Sequence, residues 1–103
     1  VLLEIAPEKI DLIPEALEFA RIGILPEGMY RNRRFAEQWV EPGETELAVQ
    51  DMLYDPQTSG GLLIAVDAAD ADAMERELQP AVPSCQRIGR VLSYEGGARI
   101  RLV

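Results

Sequence analysis

The chain has 103 residues, 48% hydrophobic and 27% charged, which is the composition of one globular domain and not of a disordered segment. A formal net charge of -8 repels phosphate backbones at long range, so nucleic acid is not an expected partner. The absence of histidine, with Cys85 as the one cysteine, excludes Ser-His-Asp and Cys-His catalysis, histidine metal sites and an internal disulfide.

Val1-Leu2-Leu3-Glu4-Ile5 is short and aliphatic and reads as a strand. Pro14 suits the first position of a helix, and Ile13, Ala16, Leu17 and Ala20 recur at helical spacing until Gly23 stops it. Residues 25 to 43 hold two prolines, two glycines and the only tryptophan, Trp39, and read as a long irregular segment. Thr45 is placed to cap a second helix whose apolar side is Val49, Met52 and Leu53, and Pro56 ends it. The loop Asp55-Pro56-Gln57-Thr58-Ser59-Gly60-Gly61 leads into Leu62-Leu63-Ile64-Ala65-Val66, a continuous apolar run that predicts a central strand covered on both faces. Asp67 is placed to cap a third helix, with Asp70 in its first turn and Ala71, Met74 and Leu78 on one side. The segment from Arg87 to Tyr94 reads as a strand, Glu95-Gly96-Gly97 as a turn, and Ala98 to Leu102 as an alternating strand, together a hairpin with an exposed arginine face. The predicted class is α+β, with helices packed on a mixed, mainly antiparallel sheet in a single domain over 1–103. No apolar run reaches the length of a membrane span and no signal peptide opens the chain, so a cytoplasmic protein without a membrane partner is expected.

Four features offer chemistry. Consecutive glycines at 60 and 61 let backbone N–H groups converge on an anion, with the hydroxyls of Thr58 and Ser59 beside them. That loop precedes a strand, whereas Walker and Rossmann loops follow one, so its plainer reading is a tight turn in which glycine supplies positive φ. The run Arg31-Asn32-Arg33-Arg34, between Tyr30 and Phe35, suits phosphate or carboxylate, or RNA through stacking; its plainer reading is pairing with the chain's own acids. Cys85 has no basic neighbour in sequence to lower its pKa and reads as a small hydrophobe. Asp67, Asp70, Asp72, Glu75 and Glu77 lack the spacing of a calcium loop and read as a solvated helix face.

Two strings, Tyr30-Arg31-Asn32-Arg33-Arg34-Phe35 and Leu53-Tyr54-Asp55-Pro56-Gln57-Thr58-Ser59-Gly60-Gly61-Leu62-Leu63-Ile64, closely resemble the C-terminal domain of the selenophosphate synthetases, also called selenide, water dikinases. Ile13 to Leu17, Gly23 to Gly28, Ile88 to Val91 and the Gly96-Gly97 turn extend the resemblance over nearly the whole chain. It implies the fold of the aminoimidazole ribonucleotide synthetase superfamily, truncated at its N-terminal side. It implies a parent that makes selenophosphate, AMP and phosphate from selenide, ATP and water, with magnesium, as a homodimer. The family's nucleophile, lysine and metal-binding aspartates fall in segments that match nothing here, so the chain is expected to be inactive alone and to hold neither ATP nor magnesium by itself. Its expected partner is the upstream N-terminal domain, and an uncovered sheet edge or face is expected to make it self-associate. Asp55, Thr58, Ser59, Gly60 and Gly61 are the candidate ligand loop, with Asn32 and Arg33 as candidate contacts to anionic groups. The alternative class is a stand-alone small-molecule-binding or regulatory α+β module.

Overall fold

Four short strands drawn from both ends and the middle of the chain assemble one sheet in the computed structural model, which describes residues 1–103. In chain order the elements are β1 (Leu2–Ile5), α1 (Pro14–Arg21), α2 (Glu27–Ala36), β2 (Val40–Glu41), α3 (Leu47–Leu53), α4 (Ala71–Leu78), β3 (Gly89–Leu92) and β4 (Ile100–Leu102). The strand order is β2-β4-β1-β3. β1 runs antiparallel to β3 and parallel to β4, and β4 runs parallel to β2. The class is therefore α+β with a mixed sheet, in which one pair is antiparallel and two are parallel.

Alternation along the strands separates two faces. On one, Glu4 stands opposite both Arg90 and Arg101, and Arg101 stands opposite Glu41, so each of the four strands contributes one charge to a row of alternating sign. Arg90 Nε donates to Glu4 Oε1 at 2.6 Å, and Arg101 Nε donates to Glu41 Oε2 at 2.9 Å. On the other face Ile5, Val40, Ile100 and Leu102 meet Leu53 and Tyr54 around a cavity of about 150 Å³. Gly89 belongs where it is because a Cβ there would lie 2.1 Å from the Glu4 carbonyl oxygen, inside the β1–β3 pairing.

Local signals account for α1. Pro14 is its first residue, and Gly23 (φ +83°) closes it. The Ile24 N–H reaches back to the Phe19 carbonyl at 2.9 Å and the Gly23 N–H to that of Ala20 at 3.0 Å, the two bonds of a Schellman cap. Arg21 then donates from Nε and Nη2 to the two carboxylate oxygens of Glu46, both at 2.9 Å, tying α1 to the start of α3. That fork holds the exposed Glu46 carboxyl below the usual carboxylate range, so its contribution is lost as pH falls through its lowered pKa.

Several expectations are corrected here. Residues 25 to 43 are not irregular: 27 to 36 form α2, because Met29, Arg33 and Ala36 fall on one inward side and Pro26 sits just ahead of the first turn, where it breaks nothing. The residue before α3 is Glu46, not Thr45, and no side chain caps that helix. Asp70 occupies the position before α4, while Asp67 closes the preceding turn, accepting from the Ala69 N–H at 2.9 Å. The terminal hairpin does not form, since β3 and β4 flank β1 on opposite sides. Its arginine face is not bare, because Arg101 is paired with acids and Arg99 lies 4.8 Å over the Tyr94 ring. Leu62 to Val66 is not a central strand. The four strands already pair with one another, and this run lies outside the sheet, with Leu62 88% and Leu63 70% exposed.

Candidate functional site

The two strings that carry the resemblance meet in space. α2 presents Gly28 and Asn32, one turn apart, to the chain that leaves α3. A Cβ on Gly28 would lie 2.7 Å from Pro56 Cγ, so the bare glycine lets the loop lie directly on the helix. Asn32 Nδ2 donates to the Tyr54 carbonyl at 2.9 Å, satisfying a group freed by the end of α3. Arg33 turns inward. Its Nη2 contacts Asp51 Oδ1, and its guanidinium carbon lies 5.3 Å from the centre of the Tyr54 ring. Arg33 Nε is buried without a hydrogen-bond partner, and Nη2 meets Asp51 off the line a hydrogen bond needs, so the pair is Coulombic in character.

The loop itself is turned by local backbone bonds. The Asp55 N–H donates to the Met52 carbonyl at 3.2 Å, and the Gln57 N–H donates to that of Asp55 at 2.9 Å. Asp55 is half-buried, whereas Thr58, Ser59, Gly60 and Gly61 are exposed. Neither glycine has a positive φ, so the turn does not demand them, contrary to the plainer reading. A Cβ on Gly60 would meet only the movable Gln57 side chain, and one on Gly61 would meet nothing within 4 Å.

Of the sequence-predicted residues, then, Asn32 and Arg33 are brought to the base of the loop, Asp55 starts it, and 58 to 61 extend away from it. Asn32 donates to the carbonyl at the loop's base, and Arg33 pairs with Asp51 on α3. Gly28, Asp51 and Tyr54 complete the arrangement and were not singled out beforehand. Their signal was the spacing of Met29, Arg33 and Ala36, which marks α2 as a helix with an inward side. An open groove of about 540 Å³ lined by Pro7, Ile10, Leu12, Leu17 and Val49 among others includes none of these residues.

Two expected results follow from this geometry. Asn32→Ala leaves the Tyr54 carbonyl without its donor and costs about 1 kcal/mol, read as a lower urea midpoint and as faster proteolysis within 55 to 61. Burial pushes the Tyr54 phenol up, with Arg33 opposing and Glu37 adding. A raised folded-state pKa makes the contribution of the protonated phenol complete below its unfolded pKa of about 10 and lost as pH rises through the higher folded value. Tyr54→Phe is accordingly expected to flatten the fall of stability above about pH 10 and to leave stability near pH 7 almost unchanged, as measured by urea titrations at a series of pH values.

No family model matches the chain. It is 43% identical over 96 residues to selenide, water dikinase 2 of Peptoclostridium acidaminophilum, a match covering 92% of this chain and 28% of that protein. It is 45% identical over 80 residues to the selenide, water dikinase of Clostridioides difficile (strain 630), covering 77% of this chain and 23% of that protein. It is 40% identical over 80 residues to that of Treponema denticola, with 78% and 23% covered. The matched segment is thus about a quarter of the length of these curated relatives.

Proposed function

We infer, from the premise that this chain belongs over a segment of their length to the selenide, water dikinases, that it is the C-terminal portion of an enzyme converting selenide, ATP and water to selenophosphate, AMP and phosphate. The observation that carries this reading is the identity over nearly the whole chain, joined to the fact that the two most specific strings are packed on one another. The hydrogen bond from Asn32 to the Tyr54 carbonyl joins the two strings, and Gly28, just ahead of the first, seats Pro56 of the second.

The role we assign to the chain is to hold the Asp55–Gly61 loop at the cleft with the rest of the enzyme. Gly60 and Gly61 support it because the chain's own backbone does not require glycine at either position. Their function is to leave main chain uncovered for something outside this chain. A parent carrying Gly60→Ala and Gly61→Ala with undiminished activity would refute that role.

Magnesium requires converging oxygen ligands. No group of three or more acidic, histidine or cysteine side chains converges here, so these residues do not fit the ion and no step through it belongs to this chain. ATP turnover and magnesium are assigned to the parent, which in this reading is a cytoplasmic homodimer, and the chain alone is inactive. Leu62 to Val66, exposed and apolar, is the surface whose burial needs the remainder of the enzyme, and in isolation it drives self-association. Sedimentation that gives only monomer at high concentration would count against this last point. No helix is long and apolar enough to cross a membrane.

The test is reconstitution. The chain is mixed with the separately produced remainder of a full-length relative, and selenide-dependent AMP formation from ATP is followed. AMP that appears only in the mixture supports the assignment. Association of the two pieces without AMP overturns the proposed activity.

A further inference from the structure

The structure divides the arginine run into two populations. Arg33 is turned in and paired with Asp51, whereas Arg31 and Arg34 are exposed and pair with no carboxylate. Arg76 and Arg99 likewise pair with no carboxylate, although acids outnumber bases 18 to 10, but Arg31 and Arg34 alone stand one turn apart on one helix. Arg21, Arg87, Arg90 and Arg101, all on the surface, each have an acid within reach. Glu27 lies four residues before Arg31 and Glu37 three residues after Arg34, at spacings that allow pairing on a helix, yet neither pair forms. Arg31 and Arg34 are themselves three apart, so two like charges share one helix surface at a cost of about 0.2–0.5 kcal/mol. The fold gains nothing from that arrangement.

Their neighbours point the same way. Tyr30 is 44% exposed and Phe35 70% exposed, so each flank of the arginine pair carries an uncovered ring. Arg31 follows Gly28 by one turn, and Gly28 is the residue against which the Pro56 ring rests. Arg31 is thus one turn along α2 from the seat of Pro56, and Arg34 is one turn further along the exposed side of the helix. Beyond Pro56 the amides of Thr58 to Gly61 make no backbone hydrogen bond.

We propose that Arg31 and Arg34 form an anion site for the phosphate chain of a nucleotide, with Tyr30 and Phe35 as flanking apolar surface. Two adjacent guanidinium forks match a polyphosphate better than a single carboxylate, because they offer two charges and parallel N–H pairs to several oxygens. The site deepens the assignment to an ATP-using enzyme and rests on that reading for the identity of the ligand, although binding itself is a property of this chain. It reassigns the anion contact from Arg33, which is committed to Asp51, to the arginines on either side of it.

The experiment is a titration of the isolated chain with inorganic tripolyphosphate, and separately with ATP, following the arginine Nε–H signals by NMR at low salt. Saturable shifts at Arg31 and Arg34 are expected with both ligands, with additional shifts at the Tyr30 and Phe35 rings with ATP alone. Affinity is expected to fall by about tenfold or more in R31Q/R34Q, as suits the loss of charge-assisted bonds. It is expected to hold in R76Q, a control that removes another arginine without an acid partner on α4. Both variants change exposed side chains, and unchanged backbone spectra establish that they fold. Equal weakening in R76Q, or no saturation with tripolyphosphate, overturns the proposal. Either result leaves the reconstitution test for selenide-dependent AMP formation untouched, so the two readings fail separately.

Discussion

Met29→Ala is expected to lower the stability of the chain by about 2–4 kcal/mol, the range for truncating a buried methionine without refilling the space. Met29 is 0% exposed, and it is the only large side chain that is fully enclosed. The other buried apolar residues are Pro7, Ala20, Ala48 and Leu102, two of them alanines too small to compensate. Domains of this size are stabilised by only about 5–15 kcal/mol in total, so the loss is a large part of the whole. Met29→Leu conserves volume and is expected to cost less than about 1.5 kcal/mol. Urea unfolding of both variants checks the result, and a change under about 1 kcal/mol for the alanine would show that α2 is not anchored through this residue. The consequence reaches the candidate site, because the same helix that Met29 anchors carries Asn32 to the Tyr54 carbonyl and Gly28 to Pro56. In the reconstituted enzyme Met29→Ala should therefore reduce AMP formation at temperatures where the chain is still folded.

What the sequence disclosed depended on how local the cause was. α1 was legible from end to end because Pro14 and Gly23 each act within one turn of themselves. β1 and β3 were legible as strands from their aliphatic composition, with bounds that shifted by a few residues. α2 was missed because Pro26 and Gly28 were read as punctuation, whereas the glycine serves a contact with a residue far along the chain, which no local pattern announces. The pairing of β4 failed for a similar reason. A glycine turn between two strands favours a hairpin locally, but β1 accepts β3 on one side and β4 on the other, and that choice is set by the whole sheet. Leu62 to Val66 shows the limit most clearly. Its apolar pattern predicts cover on both faces, and nothing within these 103 residues supplies that cover. At the site, the strings were legible as strings, and the roles of their members were not. Arg33 was indistinguishable in sequence from Arg31 and Arg34, and only the turn of the helix separates the one that is buried from the two that are presented.

Asp51→Ala should be nearly as damaging as the loss of Met29, for a different reason. The Asp51 side chain is 10% exposed and that of Arg33 is 23% exposed, so removing the acid leaves a guanidinium largely out of water and without its counter-charge. Breaking a fully buried pair costs about 3–5 kcal/mol, and the remaining access of Arg33 to solvent brings the expectation here to about 2–3 kcal/mol. The cost comes from the stranded charge and not from the worth of the pair, which gives the prediction a second half. Arg33→Met combined with Asp51→Leu removes both charges, fills a similar volume, and should be less destabilising than Asp51→Ala alone. A double-mutant cycle in urea checks this. Additive losses would mean that the two side chains do not interact and that the contact between α2 and α3 rests on apolar packing. The double variant also separates stability from function. It retains the hydrogen bond from Asn32 to the Tyr54 carbonyl and the close seat of Pro56 on Gly28, while removing the cation over the Tyr54 ring. If the pair's purpose is to fix the start of the Asp55–Gly61 loop, the double variant should unfold at higher urea than Asp51→Ala and yet reconstitute less AMP formation than the unaltered chain. If it reconstitutes fully, the loop is held by Asn32 and Gly28 alone, and Arg33 serves only to bring α2 and α3 together.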